Sequence, residues 1–268
     1  MNNGVRVKFT KLGKVRFTSH RDVARIFERA LRKAAIDVAY TEGFSPRPKI
    51  AFGLALSTGH ESLAEYLDVA LAPVPLHGAG ADVDVTELPG RLSSALPAGI
   101  DVVAAAAVPP GDASLQEAVT SCTWRIEVDG VDLARAEALV DAALAAGELV
   151  LTRTRKGKEV IDDLRPAVLS LAIDRRTDDG CVALLTELAT QPRGVRPSEL
   201  LDVLDPDGGM HESRVLRIAQ WLARDGAKAE PLATSRDPRE DSFVVRHDTD
   251  APDREPADHE RLESPAGV

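Results

Sequence analysis

Residues 15–52, VRFTSHRDVARIFERALRKAAIDVAYTEGFSPRPKIAF, read as a short strand, a capped basic helix, a second strand, a Gly/Pro loop and a third strand. Ser19 stands where an N-cap belongs, with Asp22 three residues on in the place of the usual Glu or Gln, so its hydroxyl can take an orphan N–H of the first turn. The helix therefore starts near His20. Val23, Ile26, Phe27, Ala30, Leu31 and Ala34 then recur at three- and four-residue intervals, the period of one buried face. Arg21, Arg25, Arg29, Arg32 and Lys33 take the other side. Asp22 and Glu28 are spaced to pair with Arg25 and Arg32, and a surplus of positive charge remains.

Working outward, Val5, Val7 and Phe9 alternate with Arg6, Lys8 and Thr10, the pattern of a half-buried strand, which Val15 and Phe17 resume after a turn at residues 11–14. Beyond the helix, Ile36, Val38 and Tyr40 predict a strand. Gly43, Pro46 and Pro48 then shape a loop whose tip presents Phe44, Arg47 and Lys49. Ile50, Phe52, Leu54 and Leu56 form the next strand, ended by Ser57-Thr58-Gly59. The strand at residues 63–71 has Glu65 in its apolar row, a carboxylate that must find a partner or lie at the sheet's end. A weaker helix at 83–96, delayed by Pro89 and Gly90, and a strand at 100–108 close the unit. The order is close to a ferredoxin-like α+β sandwich with one extra hairpin strand.

After a linker at Pro109-Pro110-Gly111-Asp112, the outline repeats. Cys122, Trp124, Ile126 and Val128 alternate as a strand, and residues 133–144 form an Ala-rich helix. Strands follow at 149–155 and 168–173, with Arg153, Arg155, Lys156 and Lys158 on the intervening hairpin. A strand at 181–188, a helix at 197–204 and a helix or strand at 215–222 complete it. The expectation is two tandem ferredoxin-like domains, 1–110 and 119–228. Residues 229–268 are Pro-, Asp- and Glu-rich and are expected to be a disordered acidic tail.

The 268 residues are 44% hydrophobic, enough for real cores, and no apolar run reaches the roughly 20 residues a membrane helix needs. MNNGVRVKF lacks the apolar core of a secretion signal, so the expected location is cytoplasmic and no membrane partner is expected. With only Cys122 and Cys181, neither a disulfide framework nor a metal site is indicated, and no cofactor is predicted. The formal charge of −10 is unevenly spread. Residues 5–49 hold twelve Lys or Arg against four Asp or Glu, while residues 237–268 hold ten acids against four Arg. One end suits anions.

Guanidinium groups bind phosphate bidentately, and an exposed aromatic can stack on a base. The candidate nucleic-acid-binding residues are therefore Arg16, Arg21, Arg25, Arg29, Arg32, Phe44, Arg47, Lys49, Arg153, Arg155, Lys156 and Lys158. The plain alternative is a solvated helix face. Ser19, His20 and Asp22 invite a triad, but successive helix-start positions point different ways and the N-cap Ser is already occupied. His20 alone is a weak candidate for acid–base cleavage of RNA. His60, Glu61, Glu65 and Asp68 do not converge by spacing and are read as surface polar residues. No phosphate-cradling Gly loop, dinucleotide fingerprint or nucleophile elbow is present.

The motifs Arg16-Phe17-x-Ser19-His20-x-Asp22, Arg29-Ala30-Leu31-Arg32, Tyr40-x-Glu42-Gly43-Phe44-x-Pro46-x-Pro48-Lys49 and Glu61-Ser62-x-x-Glu65-Tyr66-x-Asp68 resemble the radical SAM-associated (radical SAM-linked) domain of unknown function. The resemblance covers roughly residues 5–72 and continues at Leu164-Arg165-Pro166. Arg21 replaces an apolar residue, and Arg47 a His, of the family pattern. The family has no agreed activity, so the resemblance implies a partner, a radical SAM protein, and no reaction. Together these readings predict an RNA-binding accessory protein, for tRNA or rRNA, that acts with a radical SAM enzyme. The alternatives are a protein adaptor that docks on an acidic partner surface, and a metal-independent ribonuclease that uses His20.

Overall fold

The computed structural model describes residues 4–72, 84–108, 111–174, 182–224 and 226–232, with only the backbone of residue 155. The first βαββαβ unit comprises β1 (Gly4–Lys11), α1 (His20–Lys33), β2 (Ile50–Phe52), β3 (Glu61–Ala70), α2 (Leu88–Ser93) and β4 (Val102–Val108). A single helical turn, α3 (Leu115–Ala118), leads into the second. That unit comprises β5 (Val119–Asp129), α4 (Leu133–Ala145), an inserted hairpin of β6 (Val150–Arg155) and β7 (Lys158–Asp163), then β8 (Val168–Ile173), β9 (Val182–Ala189), α5 (Pro197–Leu204) and β10 (His211–Arg224). The short β11 (Ala227–Ala229) folds back on β10.

Both units carry the ferredoxin-like strand order, fourth-first-third-second: β4-β1-β3-β2 and β10-β5-β9-β8. The fold is thus α+β, with two ferredoxin-like units. Their sheets are joined into one nine-stranded sheet, mostly antiparallel, and both belong to a single compact unit, Met1–Ser235. The seam is a short parallel pairing, Leu216 with Glu61 and Arg217 with Ser62. The seam forms because β2 pairs only with the Leu67–Val69 end of β3, leaving the Glu61 end open for β10.

On one face of the first unit, α1 buries Val23, Phe27 and Leu31 over Val5, Val7 and Phe9 of β1 and Leu67 and Val69 of β3. Phe27 packs between Phe9, 4.6 Å away, and Phe52, 6.0 Å away. Each such side chain contributes about 1.5–3 kcal/mol by burial. In the second unit, α4 and α5 cover β5 through Ala136, Leu139, Val140, Leu200, Leu201 and Leu204.

Several expected elements change. Residues 15–17 do not form a strand: Gly13–Phe17 is a 3-10 turn, begun where Gly13 takes φ +68°. The Glu61 carboxylate accepts the Gly13 N–H at 2.6 Å, and the Lys11 ammonium donates to the carbonyls of Arg16 and Thr18 at 3.2 and 3.0 Å, so the turn curls over the end of β1. Residues 36–40 make only isolated bridges, Val38 to Leu71 and Tyr40 to Pro48. Residues 54–56 leave the sheet because the Arg217 guanidinium takes the carbonyls of Leu54 and Ala55, at 3.1 and 2.8 Å. The helix expected at 83–96 shortens to α2, with Pro89 in its first turn. Residues 215–222 are strand.

The tail does not begin at 229. The Glu230 carboxylate accepts from Lys8 at 3.1 Å, the Pro231 carbonyl accepts from Arg6 at 3.5 Å, and Leu232 is buried beside Ala64, Tyr66 and Leu115. The remainder of the expected tail, Cys181 and the linker prolines 109 and 110 lie outside the described residues. Among the described residues no helix is long and apolar enough to cross a membrane.

Candidate nucleic-acid interface

The start of α1 is fixed by its cap. The Ser19 hydroxyl accepts the Asp22 N–H at 3.3 Å and donates to the Asp22 carboxylate at 2.7 Å. Asp22 in turn accepts from Arg25 at 3.1 Å. The Ser19 hydroxyl, and after it the Arg25 guanidinium, hold the Asp22 carboxyl below the usual carboxylate range. Just before the helix, burial pushes the Lys11 ammonium pKa down.

The Gly/Pro loop is pinned from within. Thr41 N–H donates to the Arg47 carbonyl at 2.8 Å, and the Thr41 hydroxyl accepts the Arg47 N–H at 3.0 Å. Lys49 N–H donates to the Ala39 carbonyl at 2.7 Å. Gly43, at φ +120°, makes a turn that a side chain would strain. These bonds hold Arg47 across from the helix.

Helix and loop enclose a cleft of about 490 Å³, lined by Arg21, Arg25, Arg32, Tyr40 and Arg47, with Glu28 and the two loop prolines. Arg25 is shared with Asp22, and the Arg32 Nε donates to the Glu28 carbonyl at 3.2 Å. The Arg21 and Arg47 side chains make no hydrogen bond or ion pair among the described residues. Four guanidinium groups around one cleft, each with up to five donors, provide an anion-binding geometry with a net positive field.

The other predicted residues are dispersed. Arg29 is exposed on α1 but does not line the cleft. Phe44 is fully exposed at the loop tip, and Lys49 lines a separate groove of about 330 Å³ with Asp68 and Asp112. Arg16 lies 3.8 Å from Glu61, with its guanidinium over the Phe17 ring at 4.8 Å. Arg153 donates to Asp162 at 2.7 Å, and Asp162 also pairs with Arg193 at 3.2 Å. Lys156 occupies the hairpin turn at φ +50°, and Lys158 opposes Arg155 in register. This hairpin is anchored through Leu151 in the second unit's core, whereas α1 is anchored in the first.

Ser19 and Asp22 bond to each other and, among the described residues, neither bonds His20, whose ring packs edge-on against Phe52 at 5.2 Å, so these three side chains do not form a triad. The four residues His60, Glu61, Glu65 and Asp68 each have a different partner: Glu212 at 3.3 Å, Arg214 at 2.6 Å, Arg217 at 3.0 Å and Arg6 at 2.8 Å. Glu61 and Glu65 are buried rather than surface residues. Tyr40 lines the cleft too, a site residue that the sequence pattern marks only as part of a strand.

The chain is therefore an α+β protein of two joined ferredoxin-like units, with a basic cleft on the first. The family described as an uncharacterized protein conserved in bacteria (DUF2344) matches residues 5–197, and the chain belongs to it. No curated protein sequence matches. Among solved structures, a Cbf5-Nop10-Gar1 complex matches at TM-score 0.45 and 11% identity, covering 81% of this chain and 48% of that one. A putative glycine cleavage system transcriptional repressor matches at TM-score 0.23 and 7% identity, covering 80% of this chain and 95% of that one. The chain thus spans about half the length of the first of these.

Proposed function

We propose that this protein binds RNA, tRNA or rRNA, through the cleft between α1 and the 41–49 loop, and acts as an accessory to a radical SAM enzyme. The observation that carries the reading is the convergence of Arg21, Arg25, Arg32 and Arg47 on one cleft, with the Arg21 and Arg47 side chains in no hydrogen bond or ion pair among the described residues. A chain of formal charge −10 concentrates cations there against its overall sign, and such a local field steers a polyanion. The radical SAM partner is supported by the motif resemblance and by a chain of only two cysteines, too few for its own Cys-ligated cluster.

The test is RNA binding by fluorescence anisotropy across a salt series, with wild type and an Arg21→Glu/Arg25→Glu/Arg47→Glu variant. Wild type is expected to lose affinity as salt rises, with a log–log slope of about −0.7 per phosphate neutralised on a single strand. The variant is expected to bind at least about tenfold more weakly, with a shallower slope. Equal binding by both proteins removes the basis of the reading. Nuclease-resistant capture of the radical SAM protein, without RNA binding, would replace it with the adaptor role.

A further inference from the structure

The cleft between α1 and the 41–49 loop holds one acid among its arginines. Arg21, Arg25, Glu28 and Arg32 follow one another at the three- and four-residue intervals that put side chains on one face of α1, so they line the same wall. From Arg21 to Arg32 this wall runs about 16 Å, at roughly 1.5 Å per residue. The loop side supplies Arg47 and three rings, those of Tyr40, Pro46 and Pro48. The enclosed volume, about 490 Å³, is that of a small-ligand pocket.

Spacing alone would put the Glu28 carboxylate on Arg32. Instead the Arg32 Nε donates to the Glu28 main-chain carbonyl at 3.2 Å, and Arg25 is engaged by Asp22 at 3.1 Å. The Glu28 carboxylate makes no hydrogen bond or ion pair among the described residues, and Glu28 is half-buried. The Tyr40 side chain is 43% exposed, and its ring has no ring partner among the described residues. A carboxylate set among phosphate-binding guanidinium groups opposes a polyanion unless the ligand also brings donors to it. The cleft therefore presents cations for phosphate, a ring for stacking and an accessible acceptor of two oxygens.

We infer that the cleft reads an unpaired guanine: Glu28 accepts its N1–H and 2-amino group side by side, Tyr40 stacks on its face, and Arg21 and Arg47 take the flanking phosphates. The base edges decide the choice. Guanine alone sets two donors next to each other on its Watson–Crick edge. Adenine and cytosine pair an amino donor with a ring-nitrogen acceptor, and the single N–H of uracil lies between two carbonyls, so each of the three turns a lone pair toward one carboxylate oxygen. In an A-form duplex that edge is consumed by pairing, which makes the substrate single-stranded. The inference rests on the RNA reading of the same cleft and adds the base and the strand state that it takes.

The experiment measures, by fluorescence anisotropy at about 150 mM salt, the binding of a labelled oligouridylate and of the same strand with one uracil replaced by G, A, C or inosine. Calorimetry measures the binding of GMP and AMP. The G strand is expected to bind about tenfold more tightly than the U, A and C strands. Inosine, which keeps N1–H but lacks the 2-amino group, should retain only part of that preference. In Glu28→Gln the U, G, A and C strands are expected to agree within about twofold, with the salt slope unchanged. In Tyr40→Leu every strand should weaken about fivefold or more, with G still preferred. If Glu28→Gln tightens every strand by the same factor, Glu28 only repels phosphate and the assignment is overturned. Equal wild-type binding of the four strands overturns it as well, while the RNA reading stands. Binding of GMP without AMP or any strand removes the RNA reading and keeps the guanine site, whereas failure of every strand and both nucleotides removes both.

Discussion

Arg217 and Glu65 meet at 3.0 Å across the seam between the two ferredoxin-like units, one from β10 and the other from β3. Both are buried, and the guanidinium also holds the Leu54 and Ala55 carbonyls. One side chain thereby ties the segment after β2 and the Glu65 position of β3 to β10 at the seam. Removing either partner leaves a buried uncompensated charge, so Arg217→Leu and Glu65→Leu are each expected to cost about 3–5 kcal/mol in urea unfolding. The Glu65→Leu/Arg217→Leu double variant should cost less than the two single changes together. Additive losses would show that the two residues act independently.

Acid should release a set of exposed carboxylates together. The Ser19 hydroxyl lowers the Asp22 pKa, Arg153 and then Arg193 lower Asp162, and the N–H groups of Leu149 and Arg165 lower Asp163. A depressed folded pKa gives stability that is complete above the unfolded value of about 3.9 and lost as pH falls through the lower folded values. Thermal unfolding from pH 6 to pH 2 should therefore show a falling Tm below pH 4. That fall should be shallower in Asp162→Asn/Asp163→Asn. An identical acid limb in the double variant would contradict it.

Burial holds the Cys122 thiol at a pKa of about 11. At pH 8 its thiolate fraction is then on the order of 0.1%, against roughly a quarter for an unfolded cysteine. In a Cys181→Ser variant, which leaves Cys122 alone, iodoacetamide labelling followed by mass spectrometry should run on the order of 100-fold slower in buffer than in denaturant. Comparable rates would place the thiol in solvent.

What the sequence disclosed follows from the range of the forces involved. The α1 helix was legible because the Ser19 cap, the apolar period and the arginine stripe are all local, and α5 because Pro197 opens it. The cleft was legible in part: its arginines lie within twenty-seven positions of one another, from Arg21 to Arg47. The shortened β2 and the 3-10 turn at Gly13–Phe17 were not legible, since Arg217 stops the first and Glu61 helps shape the second from distant positions. A cavity of about 320 Å³ lined by Leu54, Trp124, Leu188, Val195 and Arg217 draws its residues from stretches far apart in the chain, each of which alone reads as ordinary strand or loop.

The same distinction separates the two basic groups that the sequence placed together. Arg153 is bonded to Asp162, and the β6–β7 hairpin is seated on the second unit's core, while Arg21 and Arg47 face a cleft on the first. Charge already balanced at 2.7 Å adds little to the field that a polyanion meets at a distance. Arg153→Glu/Lys156→Glu/Lys158→Glu is therefore expected to shift RNA affinity less than about twofold at 150 mM salt, with its salt slope unchanged. Reversing three charges on the α1 cleft should flatten that slope. A hairpin variant that loses as much affinity as the cleft variant would mean that one RNA spans both units, and the interface would then extend beyond the α1 cleft.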